Sequence, residues 1–285
     1  MHGGLDAAPR SAQRAIDWSA PWLVPLADAG AAATAQWASS AALHHALNAA
    51  MAAQGRCPVS FVAQDALGPR MPYEMHVAMH DQVPTRDNLH DLFNALVWGV
   101  WPQLKLAFNR LHAQALAADG GEAQRRGPVR DALTLWDENG AVLIAPPALW
   151  AALRAHDWPR LFGPLRPLWA QSRLWLVGHA LMEQLLSPRK GLTAHVWLIP
   201  EAENAHALQL LGDQGEAAAQ AWVDARVGQQ LRAIDLCPKP FTPLPVLGVP
   251  GWWSANEAPG FYDDPAVFRP LRKEPPEPVR WLSAP

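Results

Sequence analysis

The chain has 285 residues, of which 50% are hydrophobic and 17% charged, with a formal net charge of −3. This composition supplies apolar surface for a sizeable core and excludes a long disordered chain, apart from the ends. It also argues against a phosphate-tracking surface: the densest basic runs, QRRGPVR (124–130) and FRPLRK (268–273), are short and read as solvated loop charge, so no nucleic-acid partner is expected.

No apolar run approaches the ~18 residues that a membrane helix needs, so no membrane partner is expected. The opening MHGGLDAAPR lacks the charged-then-apolar pattern of a signal peptide, and a bacterial cytoplasm is the expected location. The two cysteines, Cys57 and Cys237, have no CxxC partner, which excludes a cysteine zinc site. They leave room for one disulfide, which cytosolic chains rarely form. Fifteen tryptophans will need partners for their indole N–H groups where buried. The 28 prolines crowd the region after residue 238 and cut it into short extended pieces.

In chain order, residues 14–30 form an apolar entry segment broken by Pro21 and Pro25. Residues 31–54 are alanine-rich without proline or glycine and predict a helix, which Gly55 ends. Residues 57–86 read as loop, with a short strand at 59–63. In PTRDNLHDLFNALVW (84–98), Leu89, Leu92, Phe93, Leu96 and Val97 recur at three- and four-residue steps, a helical stripe continued by Val100, with Thr85 as its cap. Trp101-Pro102 marks a break, and 103–117 predicts a second amphipathic helix. RDALTLWDENGAVLIA (130–145) carries turn residues in DENG between apolar positions, which predicts a β-hairpin over 132–145. A helix starting at Pro147 and a proline-broken helical piece follow, then a strand near 174–177, Gly178 as a sharp turn, the helix HALMEQLL, and a strand over 193–199. Residues 215–235 predict one more helix. The tail contains Trp252, Trp253, Phe261, Tyr262 and Phe268, too apolar to leave in water, and is expected to wrap the core. The last dozen residues are expected to be loose.

PTRDNLHDLFNALVWGVWP, RDALTLWDENG, GHALMEQLLSPRKGLTAH and PLPVLGVPGWWSANEAPGFYDDPAVFRP, in this order, resemble a proteobacterial family of unknown function, domain-of-unknown-function family 3025, over residues 57–272. The resemblance implies one compact domain and brings no activity, cofactor or catalytic residue. Function has to come from the site.

Four groups of residues could carry chemistry. His90 and Asn94 are four apart and share a helix face, with Asp87 and Asp91 beside them; the plainer alternative is a capped helix with solvated aspartates. His179 follows a strand and Gly178, and Glu183 lies one turn on, so both could reach one ion or simply hydrogen-bond locally. His195 shares a strand face with Thr193 and Trp197, where a satisfied core histidine is the plainer reading. Arg86 and Arg130 could clamp a carboxylate or phosphate, or Arg130 could pair with the adjacent Asp131. Tyr73-Glu74 could add a phenol and a carboxylate, but nothing in the sequence places them.

Burying three histidines with Asp91 and Glu183 is costly unless they satisfy one another. The set His90, Asp91, His179, Glu183 and His195 would suit zinc, iron or manganese, although no HExxH spacing occurs. GxGxxG, P-loop and GxSxG motifs are absent from the sequence.

The expectation is therefore a helix-dominated α+β single domain, residues 1–285, with a small sheet and a proline-rich C-terminal tail around the core. Its expected activity is that of an enzyme on a small polar or anionic molecule. His90, His179, Glu183 and His195 would be acid/base groups or metal ligands, and Arg86, Asn94 and Arg130 would hold the substrate. The alternative is a non-catalytic binding or interaction protein whose histidines form a buried structural network. The sequence leaves the oligomeric state open.

Overall fold

The computed structural model describes residues 16–39, 41–55, 57–118, 127–237 and 239–271. The expectations for the first ten residues, for part of each basic run and for the last dozen residues fall outside them. The chain divides into two compact units, Met1–Arg125 and Arg126–Pro285. Helices dominate both, and the described strands form two small sheets, an α+β architecture.

In the first unit, the alanine-rich stretch is two helices, α1 (Ala27–Ala38) and α2 (Leu43–Gln54). The break falls after Ser39, whose hydroxyl donates back to the Gln36 carbonyl, a side-chain bond that competes with helix propagation. Asp87, from a distant loop, accepts the N–H of Leu43 at 2.8 Å and so caps α2. Gly55 ends α2 in the left-handed conformation, as expected.

The segment 57–86 is more regular than its sequence suggests. It holds β1 (Ser60–Ala63), α3 (Tyr73–His80) and β2 (Gln82–Thr85). β1 and β2 pair in parallel, Ser60 opposite Gln82, with α3 in the connection. Asn48 on α2 brackets Phe61: its amide donates to the Phe61 carbonyl and its oxygen accepts the Phe61 N–H.

The predicted stripe is α4 (Leu89–Val100), with Leu92, Phe93, Leu96 and Val97 wholly buried. Its cap is Asn88, whose side chain accepts from the Asp91 N–H; Thr85 belongs to β2. Pro102 starts α5 (Pro102–Ala118), where a missing N–H costs nothing.

The second unit corrects the expected hairpin. Residues 128–139 form α6 (Pro128–Asn139), which runs directly into β3 (Gly140–Ile144). The DENG turn chemistry is overridden by Pro128 at the helix start and by Ala132, Leu133 and Trp136, which bury one helical face.

After α7 (Pro147–Arg154) and α8 (Trp158–Phe162) come β4 (Arg173–Leu176), α9 (His179–Gln184) and β5 (Thr193–Leu198). Two helices follow, α10 (Glu201–Gln214), which the sequence reading lacked, and α11 (Glu216–Gln230), then β6 (Thr242–Pro245). The sheet order is β4-β3-β5-β6. β3 runs antiparallel to β4 and parallel to β5, and all five of its residues are buried.

Asn204 on α10, 2% exposed, bonds both the N–H and the carbonyl of Ala145 just past β3, the same device as Asn48 on Phe61. Among the described residues, indoles find partners at Trp136 on the His195 carbonyl, Trp158 on the Arg269 carbonyl, Trp169 on the Leu161 carbonyl, Trp175 on Glu216 and Trp197 on Gln230. The Nε1 atoms of Trp98 and Trp150 are buried without one. In the tail, Phe261 and Phe268 are buried, and Phe268 and Tyr262 meet Phe162 of α8. Cys57 and Cys237 are free thiols.

Candidate functional site

The second unit concentrates its candidate chemistry where α6 ends and α9 begins. Val177 and Gly178 both donate to the Gly140 carbonyl, at 2.9 and 2.8 Å, which brings the β4–α9 turn onto the α6–β3 junction. His179, the first residue of α9, is buried, with its side chain 7% exposed. Its Nδ1 lies 3.8 Å from Oδ2 of Asp137, in the last turn of α6. That is ion-pair range and longer than a hydrogen bond. A carboxylate in the last turn of a helix is disfavoured by the helix dipole, so Asp137 is held against that preference beside a buried imidazole. Glu183 is half-buried one turn along α9.

Trp136, the residue before Asp137, donates to the backbone carbonyl of His195 at 2.7 Å. Successive residues of α6 therefore face His179 and the β5 strand that carries His195. The His195 ring is half-buried against Phe241, 6.4 Å between centroids, and burial, then Lys239, holds its pKa below the ordinary imidazole value. Arg130 lies in the first turn of α6, not at a strand start, with Nε and Nη1 buried and without hydrogen-bond partners.

His90, Asp91, Asn94 and Arg86 belong to the first unit. Asp91 is buried. It accepts the Arg86 N–H at 2.7 Å and takes the guanidinium through both oxygens, Nε at 3.1 Å and Nη2 at 2.8 Å. This closes the turn ahead of α4 and fixes Arg86, whose side chain is largely exposed. His90 and Asn94 share a face of α4. The Asn94 oxygen accepts from Lys105 Nζ at 2.9 Å, and its amide donates to the Tyr73 hydroxyl at 3.1 Å.

Among the described residues, no three or more histidines, cysteines and carboxylates are grouped so as to hold a metal ion. A surface groove of about 320 Å³ lies between α10 and α11, lined by Glu203, His206, Trp222 and Arg226 among others; none of the sequence candidates lines it.

Sequence reasoning missed Asp137 and Lys105. Asp137 was hidden by the turn reading of DENG. Lys105 had a usable signal, since it interrupts the buried stripe that runs from Trp101, just ahead of α5, to Phe108 and His112 on it.

Four histidines share one electrostatic trend. His44, His76, His156 and His195 all have pKa values lowered chiefly by burial. An unfolded histidine takes its proton near pH 6.5, while these resist it in the folded chain. The unfolded state then binds more protons, so folding stability is complete above that pH and is lost as the pH falls below it. Urea unfolding should accordingly show weaker folding at pH 5 than at pH 7. His195→Gln should flatten the slope, by at most about 1.4 kcal/mol per pH unit. An unchanged slope would remove His195 from this account.

No helix among the described residues is long and apolar enough to cross a membrane. Comparisons with curated proteins and with solved structures find no match. A model of the family described as "Protein of unknown function (DUF3025)" matches residues 59–272, reaching across both units, and the chain belongs to that family.

Proposed function

We propose that this chain is an enzyme that works by general acid–base catalysis on a small polar or anionic molecule, with His179 as the group that moves the proton. Asp137 orients the imidazole and stabilises its charged form, and Glu183 is the second carboxylate within reach of the same helix. The observation that carries this reading is the buried His179 ring facing a carboxylate held at an unfavourable helix end. A 3.8 Å separation suits a pair that tightens when substrate arrives. An imidazole carries two ring nitrogens, so one can face the orienting carboxylate while the other exchanges a proton with substrate. Two free cysteines fit a reducing compartment, such as the bacterial cytoplasm expected for this chain.

The test is a turnover screen of small carboxylates, phosphate esters, amides and sugars with the full chain, followed by His179→Gln on any substrate found. Loss of about a hundredfold in kcat is expected, with a smaller loss for Asp137→Asn. Full activity in His179→Gln would overturn the reading. A chelator separates the metal alternative: loss of turnover that zinc, iron or manganese restores would make His179 a ligand instead of a proton carrier. A chain that turns nothing over, yet retains a bound partner through purification, would favour the non-catalytic alternative.

A further inference from the structure

Helix α3 carries a histidine pair, His76 and His80, four residues apart and therefore on one face. His76 is 6% exposed, and its Nε2 is buried without a hydrogen-bond partner. Leaving an imidazole nitrogen dry and unpaired costs stability. The ring of His80 lies beside it, 4.8 Å away between centroids and tilted by 54°. His80 itself is exposed, so the pair connects a buried donor to solvent. That separation is the one a shared metal ion imposes. A metal–nitrogen bond of ~2.0–2.1 Å puts each ring centre about 3 Å from the ion, and angles between square and tetrahedral then put the two centres roughly 4.5–5 Å apart. The two rings need little movement to hold one ion.

The third donor selects the metal. Met79 lies three residues after His76 on the same side of α3 and is 60% exposed, unusual for so apolar a side chain. Its three rotatable bonds let the thioether sulfur reach an ion held between the rings. Among the described residues, no cysteine or carboxylate joins the two histidines to make a group of three. Two neutral imidazoles and a thioether carry no charge to offset a dication at a half-buried position, which favours a monovalent ion. A soft sulfur beside imidazole selects cuprous copper over zinc. We propose that His76, Met79 and His80 form a three-coordinate site for cuprous copper on α3. His76 is the buried anchor, and His80 and Met79 close on the ion from the solvent side. The backbone beneath them is held: Asn109 of α5 donates to the Glu74 carbonyl at 3.0 Å, and Asp81 ends the helix at φ 51°. This inference uses no step of the His179 reading and stands or falls separately from it.

The experiment is an anaerobic titration of the full chain with cuprous ion, kept reduced by ascorbate, against a colorimetric cuprous chelator. Cys57 and Cys237 are free thiols that would take the same ion, so both are first changed to serine. One equivalent of copper is expected to bind in that background. His80→Ala and Met79→Leu alter exposed side chains, so the melting temperature should hold. His80→Ala should weaken copper binding about a hundredfold and Met79→Leu about tenfold. Met79→Leu should leave any zinc binding unchanged, because zinc takes nitrogen, oxygen and thiolate donors. His206→Ala, at an exposed histidine of α10, is the matched control and should bind copper as its parent does. The His80→Ala comparison is repeated with both cysteines in place, where one equivalent fewer should bind. No copper retained against the chelator, or binding that either His80→Ala or Met79→Leu leaves intact, would overturn the proposal.

Discussion

Gly178→Ala should destabilise the chain by about 3 kcal/mol or more and remove any activity that depends on His179. A Cβ at this position would lie 2.5 Å from Asn139 Cα and from the Gly140 nitrogen, and 2.6 Å from the Asn139 nitrogen. All three are backbone atoms, so no side chain can rotate to make room. Nor can the two segments part cheaply, because the Gly140 carbonyl accepts from both Val177 and Gly178. The backbone of Gly178 has φ −67° and ψ 106°, a conformation open to any residue. The glycine is required for close approach alone. Gly191→Ala is the matched control, since its nearest neighbour is Val267 Cγ2 at 4.0 Å, and it should move stability by less than about 0.5 kcal/mol. Urea unfolding of the three proteins decides the matter. Equal stabilities would show that β4–α9 and α6–β3 do not approach as closely as described. The site follows from the same contact: widening this junction moves His179 away from Asp137, which sits two residues before Asn139 on the other side of it.

That glycine shows what the sequence could and could not reveal. Gly178 was legible as a special position between LWLV and HALMEQ, and the strand and helix on either side were read correctly. The reason for the glycine was not legible, because it lies in Asn139 and Gly140, some forty residues earlier. The α6 segment failed for a related cause. Leu133 and Leu135 mimic a strand's alternation, and DENG is good turn chemistry, but neither signal reports that Trp136 will be buried against β5. Local pattern and long-range packing disagreed, and packing decided.

In the first unit the α4 stripe was plain because six apolar residues repeat at helical spacing. Its polar residues stood out against that stripe, but their partners did not. Asp91 serves the Arg86 turn, Asp87 caps α2, and Asn94 joins Tyr73 to Lys105. Each partner sits on a different element or turn, and spacing along one helix cannot name it. The sequence singles out His179 and Glu183 as candidates because strand, glycine and helix follow one another there. It does not single out Asp137, because Asp137 comes within 3.8 Å of His179 only once α6 ends beside Gly178.

Trp136→Ala is expected to cost about 3–5 kcal/mol, the range for emptying a fully buried aromatic site. The side chain has no solvent exposure. Its ring lies 5.4 Å from that of Trp197 and stacks on Phe241 at 5.7 Å, so the cavity left behind is bounded by large rings that cannot collapse into it. The indole N–H is also lost, and with it the 2.7 Å bond to the His195 carbonyl. Trp136→Phe separates the two contributions. It keeps an aromatic face against Phe241 and forfeits the hydrogen bond, and should cost about 1–2 kcal/mol. Thermal or urea unfolding of both variants gives the split, and equal costs would mean that the hydrogen bond, not the packing, holds α6 to β5. The consequence for chemistry is specific to this position. Trp136 fixes the rotation of the last turn of α6 about its axis, and Asp137, the next residue, inherits that rotation. Trp136→Phe should therefore lower kcat on any substrate that depends on His179 while leaving most of the fold intact. Leu133, buried one turn earlier on the same helix face, offers the comparison: Leu133→Ala should cost about 2–5 kcal/mol of stability with less effect on kcat per unit of stability lost. If both variants lower kcat in proportion to stability alone, α6 supports the site only as part of the core, and the orientation of Asp137 is not what Trp136 secures.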